Sequence, residues 1–174
     1  MIKSFKIILP FLLVIPFAVS GQKGYTYLID TSKILSNENL DPFIQKLSTD
    51  SFTNFTDKKA IPKFIKKQLD AIAHDFSIAN PNENYRCCCM SSQKLPARKL
   101  QFLSVSNNVL AMTYLTGGWG VSSHLLLIRF EQNKIVDLWT GYYSNEVNGV
   151  ADIVKYLNER RNKKEAFNTN IIIL

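Results

Sequence analysis

Between Lys99 and Tyr143 the chain runs through four apolar, β-branched and aromatic segments that only a sheet accommodates well. They are Leu100–Val105, Val109–Leu115, His124–Phe130 and Lys134–Trp139. Short polar or glycine-rich stretches separate them: Asn107-Asn108, Gly117-Gly118-Trp119-Gly120 and Gln132-Asn133. Asn tolerates left-handed dihedrals and Gly tolerates them best, so each interruption suits a tight hairpin. The spacing predicts an antiparallel four-stranded β-meander over about residues 99–143. In the third segment Leu125 and Leu127 point one way, while Leu126, Ile128 and Phe130 point the other. A strand apolar on both faces is covered on both, with helices over at least one face and the N-terminal segment or a partner over part of the other.

Two segments read as those helices. From Ile61 to Phe76, Phe64, Ile65, Leu69, Ile72, Ala73 and Phe76 recur at helical spacing behind Pro62. From Glu146 to about Lys163, Val150, Ile153, Val154 and Leu157 form a stripe, with Ser144 or Asn145 as cap candidates. Asp41-Pro42 reads as the cap and first position of a shorter helix. Tyr25–Ile29 reads as a short strand, the terminal run Asn170–Leu174 as an edge strand or a segment docked on the core, and Ser48–Lys59 as loop. The fold class is α+β: a meander packed against helices at about 61–76 and 146–163.

Residues 1–21 have the three parts of a secretory signal. Lys3 and Lys6 supply charge, Ile7–Phe17 an apolar run, and Ala18, Ser20 and Gly21 small residues for cleavage. The apolar run falls short of a membrane span of about 20 residues, and Pro10 and Pro16 interrupt it. The expectation is a secreted or periplasmic chain, residues 22–174 forming a single domain, with no stable membrane anchor after cleavage. The net charge of +7 falls to +5 once Lys3 and Lys6 are removed. The remaining basic residues are scattered in pairs such as Lys58-Lys59 and Arg160-Arg161, so no nucleic-acid footprint emerges.

Cys87-Cys88-Cys89-Met90 is the unusual chemical feature. Adjacent cysteines cannot close the long loops through which disulfides stabilise folds. Three thiols and a thioether are soft ligands of the kind that select copper or, with histidine, zinc. Standard zinc sites space their cysteines by two to four residues, however, and a second such pair is missing from the chain. Buried packing is the competing reading. A cysteine nucleophile would need His74 or His124 as base, with Asp137 or an Asn to orient it. A histidine that opens a strand, as His124 does, reads more readily as a packed, hydrogen-bonded residue.

Gly117–Gly120 joins two strands and lacks the Lys-Ser/Thr of a phosphate loop, so it reads as a hairpin displaying Trp119. The paired carboxylates of a glycoside hydrolase are not evident. No catalytic residue is assigned and no cofactor is expected. The sequence points to a non-catalytic binding module for a protein or small ligand, with Gly118, Trp119, His124 and Tyr142 as ligand-binding candidates. A metal or redox site at Cys87, Cys88, Cys89 and Met90 is the alternative.

Overall fold

The computed structural model describes residues 30–73, 75–88, 92, 94–118 and 120–161. The signal expected at 1–21, the strand expected at 25–29, the edge strand or docked segment expected at 170–174, and His74, Cys89, Met90 and Trp119 lie outside them. In chain order the elements are α1 (Thr31–Ser36), α2 (Leu40–Thr49), β1 (Thr53–Phe55), a 3-10 turn (Lys58–Ala60), α3 (Lys63–Ala73), β2 (Ile78–Ala79), β3 (Arg98–Val105), β4 (Val109–Thr116), β5 (Ser122–Glu131), β6 (Lys134–Tyr142) and α4 (Val150–Arg160). The fold is α+β.

The meander forms as expected, with β3–β4–β5–β6 consecutive and antiparallel. Gln132 and Asn133 both take left-handed dihedrals, which a two-residue hairpin with the sheet's twist requires. The sheet is larger than four strands, though. β1 pairs antiparallel with β3, and β2 pairs parallel with β3 at Ile78↔Arg98 and Ala79↔Lys99. Strands of three and two residues are too short to carry an alternating pattern, so the stretch expected as loop at 48–59 holds both β1 and the 3-10 turn.

The helices are shorter than the apolar periodicity suggested. α3 stops at Ala73, and Phe76 is buried beyond its end, its N–H donating to Asp70 Oδ1 at 3.1 Å. α4 begins only at Val150, after the extended Gly149. Ser144 and Asn145 therefore sit in the preceding loop and cap nothing. Asn39 precedes α2, which places Asp41 in its first turn, where a carboxylate complements the helix dipole. α1 is an unanticipated helix, capped by Asp30, which accepts from Ser32 N–H, and closed by a left-handed Asn37.

Helices cover both faces of the sheet. Phe64 of α3 meets Phe130 edge-on at 5.4 Å, and Phe76 meets Tyr114 at 5.9 Å. Gln68 of α3 also ties the β5–β6 hairpin, donating to Asn133 O and accepting from Ile135 N–H. On the opposite face Trp139 Nε1 donates to Asn37 Oδ1, and Tyr156 of α4 lies against Tyr143. Leu125, Leu126, Leu127 and Ile128 consequently have no exposed surface, whichever way they point. Full burial of each contributes about 1.5–3 kcal/mol. Among the described residues no helix is long and apolar enough to cross a membrane.

Candidate functional site

The hairpin that joins β4 to β5 marks one end of the sheet, and both faces of that end carry polar side chains. Arg86–Cys88 runs across the hairpin, where Cys88 forms a parallel bridge with Gly118. Gly117 is required there, because a Cβ would overlap the backbone of Arg86 and Cys87. His124 faces Tyr114 on β4 and Tyr142 on β6 in the strand register. Five sequence candidates thus gather at one end of the fold: Cys87, Cys88, Gly118, His124 and Tyr142. Both described cysteines are exposed rather than packed as core.

His124 has no exposed surface. Its ring lies between Tyr114, at 5.4 Å and 27°, and Tyr142, at 5.3 Å and 35°. Nε2 sits 2.8 Å from Thr116 Oγ1 and 2.7 Å from Ser122 Oγ, and those hydroxyls are 2.9 Å apart. Burial, reinforced by the Arg98 charge, lowers its pKa to about 4, so the imidazole is neutral at pH 7. Arg98 is itself buried: Nη1 donates to Asp75 O at 2.9 Å and the guanidinium lies over the Phe76 ring at 4.6 Å. Burial pushes the Tyr114 hydroxyl up to about 12 against the pull of that charge. These groups form an interior polar layer. A ligand held at the surface does not reach His124.

The other face of the same sheet end opens into a cavity of about 400 Å³. Thr113 of β4, Ser123 of β5 and Tyr143 just beyond β6 form its wall, with Gln101 of β3 and the β6–α4 loop Ser144–Asn148 around it. Strand alternation puts Thr113 and Ser123 opposite to Tyr114 and His124. A register shift between Leu100 and Phe102 places Gln101 at a bulge, a device that re-aims side chains beside binding sites. Ser123 Oγ donates to Gln101 Oε1 at 2.7 Å, while Tyr143 N–H donates to Ser123 O at 3.0 Å and ties the loop's start to β5.

Two hydroxyls of this cavity's wall residues are buried without a hydrogen-bond partner in the protein: Thr113 Oγ1 and Tyr143 Oη. The residues are 1% exposed each. Burial, with the Asp152 carboxylate and Tyr156 nearby, pushes the Tyr143 hydroxyl up to about 12, so it stays protonated and can donate. A buried hydroxyl left unpaired costs about 1–3 kcal/mol. The Tyr143 hydroxyl lies towards α4, and the surface the cavity presents is set by Gln101, Ser123, Asn145, Glu146 and Asn148, polar groups that suit a small polar molecule.

A second groove, of about 440 Å³, lies between the α1–α2 junction and the start of β6. Within it Arg129 lies 4.0 Å from Asp137, which also accepts from Asn39 Nδ2 at 2.8 Å. Among the described residues, no group of three His, Cys, Asp or Glu side chains is placed to hold a metal ion.

None of the residues around the cavity was a ligand candidate in the sequence; Ser144 and Asn145 stood out there only as helix caps. Thr113 is the polar interruption in an otherwise apolar strand, and that is the one signal it gave. Comparison with protein-family models, with characterised proteins and with solved structures returned no match to this chain.

Proposed function

We propose that this protein is an exported binding module that holds a small polar ligand, without chemical change, in the cavity beneath the Ser144–Asn148 loop. The observation that carries the reading is the cavity's lining of neutral polar side chains, Gln101, Thr113, Ser123, Asn145 and Asn148, at the bulged end of the sheet. Catalysis is not part of the proposal. The basic group best placed to act as a general base, His124, is enclosed on the opposite face of the sheet. No nucleic-acid partner is proposed, because no cation among the described residues lines the cavity.

A thermal-shift screen of small polar compounds tests this. A compound that raises the melting temperature of the wild type is expected to lose its effect in Gln101→Ala, and to be recovered chemically unchanged after incubation. Turnover that Gln101→Ala or Thr113→Val abolishes would overturn the reading. Export rests on the charged, apolar and small-residue pattern of residues 1–21. Protein recovered from outside the cytoplasm is expected to begin at Gly21 or Gln22, and an N-terminus still carrying Met1 would refute cleavage.

The alternative, a soft-metal or thiol site at Cys87–Met90, draws support from the exposure of Cys87 and Cys88 beside Gly118. Thiol titration with elemental analysis for copper and zinc separates the two. Stoichiometric metal with protected thiols would favour the metal site, reactive thiols in metal-free protein would favour the thiol site, and metal-free protein with thiols silent until denaturation would end both.

A further inference from the structure

From the donors and acceptors around the Thr113–Tyr143 cavity, and resting on the binding reading above, we infer that its ligand is an uncharged, hydroxyl-rich molecule of the saccharide class. Among the described residues no Lys, Arg or His lines the cavity, although the chain carries 21 Lys and Arg. Its charged member is Glu146. An anion would be desolvated there without a countercharge and beside a carboxylate, which is unfavourable on both counts. The protein's overall positive charge therefore does not extend to this site.

What the cavity offers is a mixture of donors and acceptors. Gln101 and Asn145 each engage through their side-chain oxygen, accepting from Ser123 Oγ and Ser144 Oγ. Their amide NH2 groups remain as donors. Glu146 accepts, and the Ser123 and Ser144 hydroxyls, which donate to those amide oxygens, keep lone pairs to accept. Adjacent ligand hydroxyls, each both donor and acceptor, match such a set. A carboxylate accepts a hydrogen bond from one hydroxyl while an amide N–H donates to its neighbour. The Tyr143 ring and Val147 add modest apolar surface, which suits the C–H face of a sugar ring. The volume of about 400 Å³ lies within the usual small-ligand range of roughly 300–1,000 Å³.

Calorimetric titration with a neutral methyl hexopyranoside, the matching uronate and the matching hexosamine tests the class. The neutral glycoside is expected to bind at least tenfold more tightly than the uronate. Asn145→Ala and Gln101→Ala, both at exposed positions, are each expected to weaken it by about tenfold. An oligosaccharide of the same sugar, run alongside, identifies the source: tighter binding assigns a glycan chain, equal binding a free sugar. Uronate or amine binding as tight as the neutral glycoside overturns the class while leaving the binding site in place. If no sugar binds but another small molecule still depends on Gln101 and Asn145, the class falls and the binding reading stands. If no compound of any kind responds to those substitutions, both fall.

Discussion

Replacing Thr113 by Val asks whether the cavity wall trades stability for binding. The change swaps a hydroxyl for a methyl group of nearly the same size in a β-strand, where both residues are well accommodated. Thr113 Oγ1 is buried and has no protein partner, so the wild type carries a desolvation cost of about 1–3 kcal/mol that valine lacks. The added methyl contributes about 0.8 kcal/mol of apolar burial. Local rearrangement around the hydroxyl recovers part of that cost, so we set the net gain at about 1 kcal/mol in ligand-free protein. In a domain of this size that raises Tm by about 2–4 °C. Urea denaturation monitored through the buried Trp139 measures it, with an unchanged slope showing that the same transition is being compared. Stabilisation accompanied by at least tenfold weaker ligand binding is the expected pair of results. If the variant is less stable by about 1 kcal/mol or more, the hydroxyl is satisfied in the folded chain, and the reasoning is refuted.

His124, held to about 4 against an ordinary value near 6.5, makes stability fall between those pH values, because there the unfolded chain binds a proton that the folded chain does not. The full shift corresponds to about 3 kcal/mol, discounted to about 2 for screening past the half-buried Ser122. His124→Gln should flatten the difference between stability at pH 7 and pH 4 by that amount, and an unchanged profile would refute it. Gly117→Ala should cost about 1–3 kcal/mol by denaturation, because the added Cβ meets backbone that cannot swing aside. A neutral result would mean that Arg86–Cys88 does not pass so closely. Gln68→Leu should cost about 2 kcal/mol by leaving Asn133 O and Ile135 N–H unpaired beneath α3. Loss of under 0.5 kcal/mol in the same assay would show that the bridge is dispensable.

The meander was legible because its information is local. β-Branched runs, two-residue Asn turns and a glycine-rich interruption each act over a few residues, and Gln132 and Asn133 take the left-handed turn their positions suggested. β1 and β2 were not legible, because strands of three and two residues exist only as additions to β3, long-range pairings with no periodic trace. The helix ends shifted for a similar reason. Phe76 and Val147 fit the apolar stripes but reach the core from non-helical backbone. At the site, His124 could be picked out by residue type. Its enclosure depends on Tyr114 and Tyr142 from the flanking strands, which only the register reveals. The cavity is still less local. Gln101, Thr113, Ser123 and Tyr143 come from four places in the chain, and an unpaired hydroxyl looks like any other threonine or tyrosine until its neighbours are known.

Amide shifts in 15N-labelled protein, titrated with the compound that most raises its melting temperature, test the binding cavity most directly. The account predicts the largest changes at Gln101, Ser123 and the loop from Ser144 to Asn148. Changes centred instead on Lys33, Glu38 and Val136 would place the site in the groove beside β6 and contradict it.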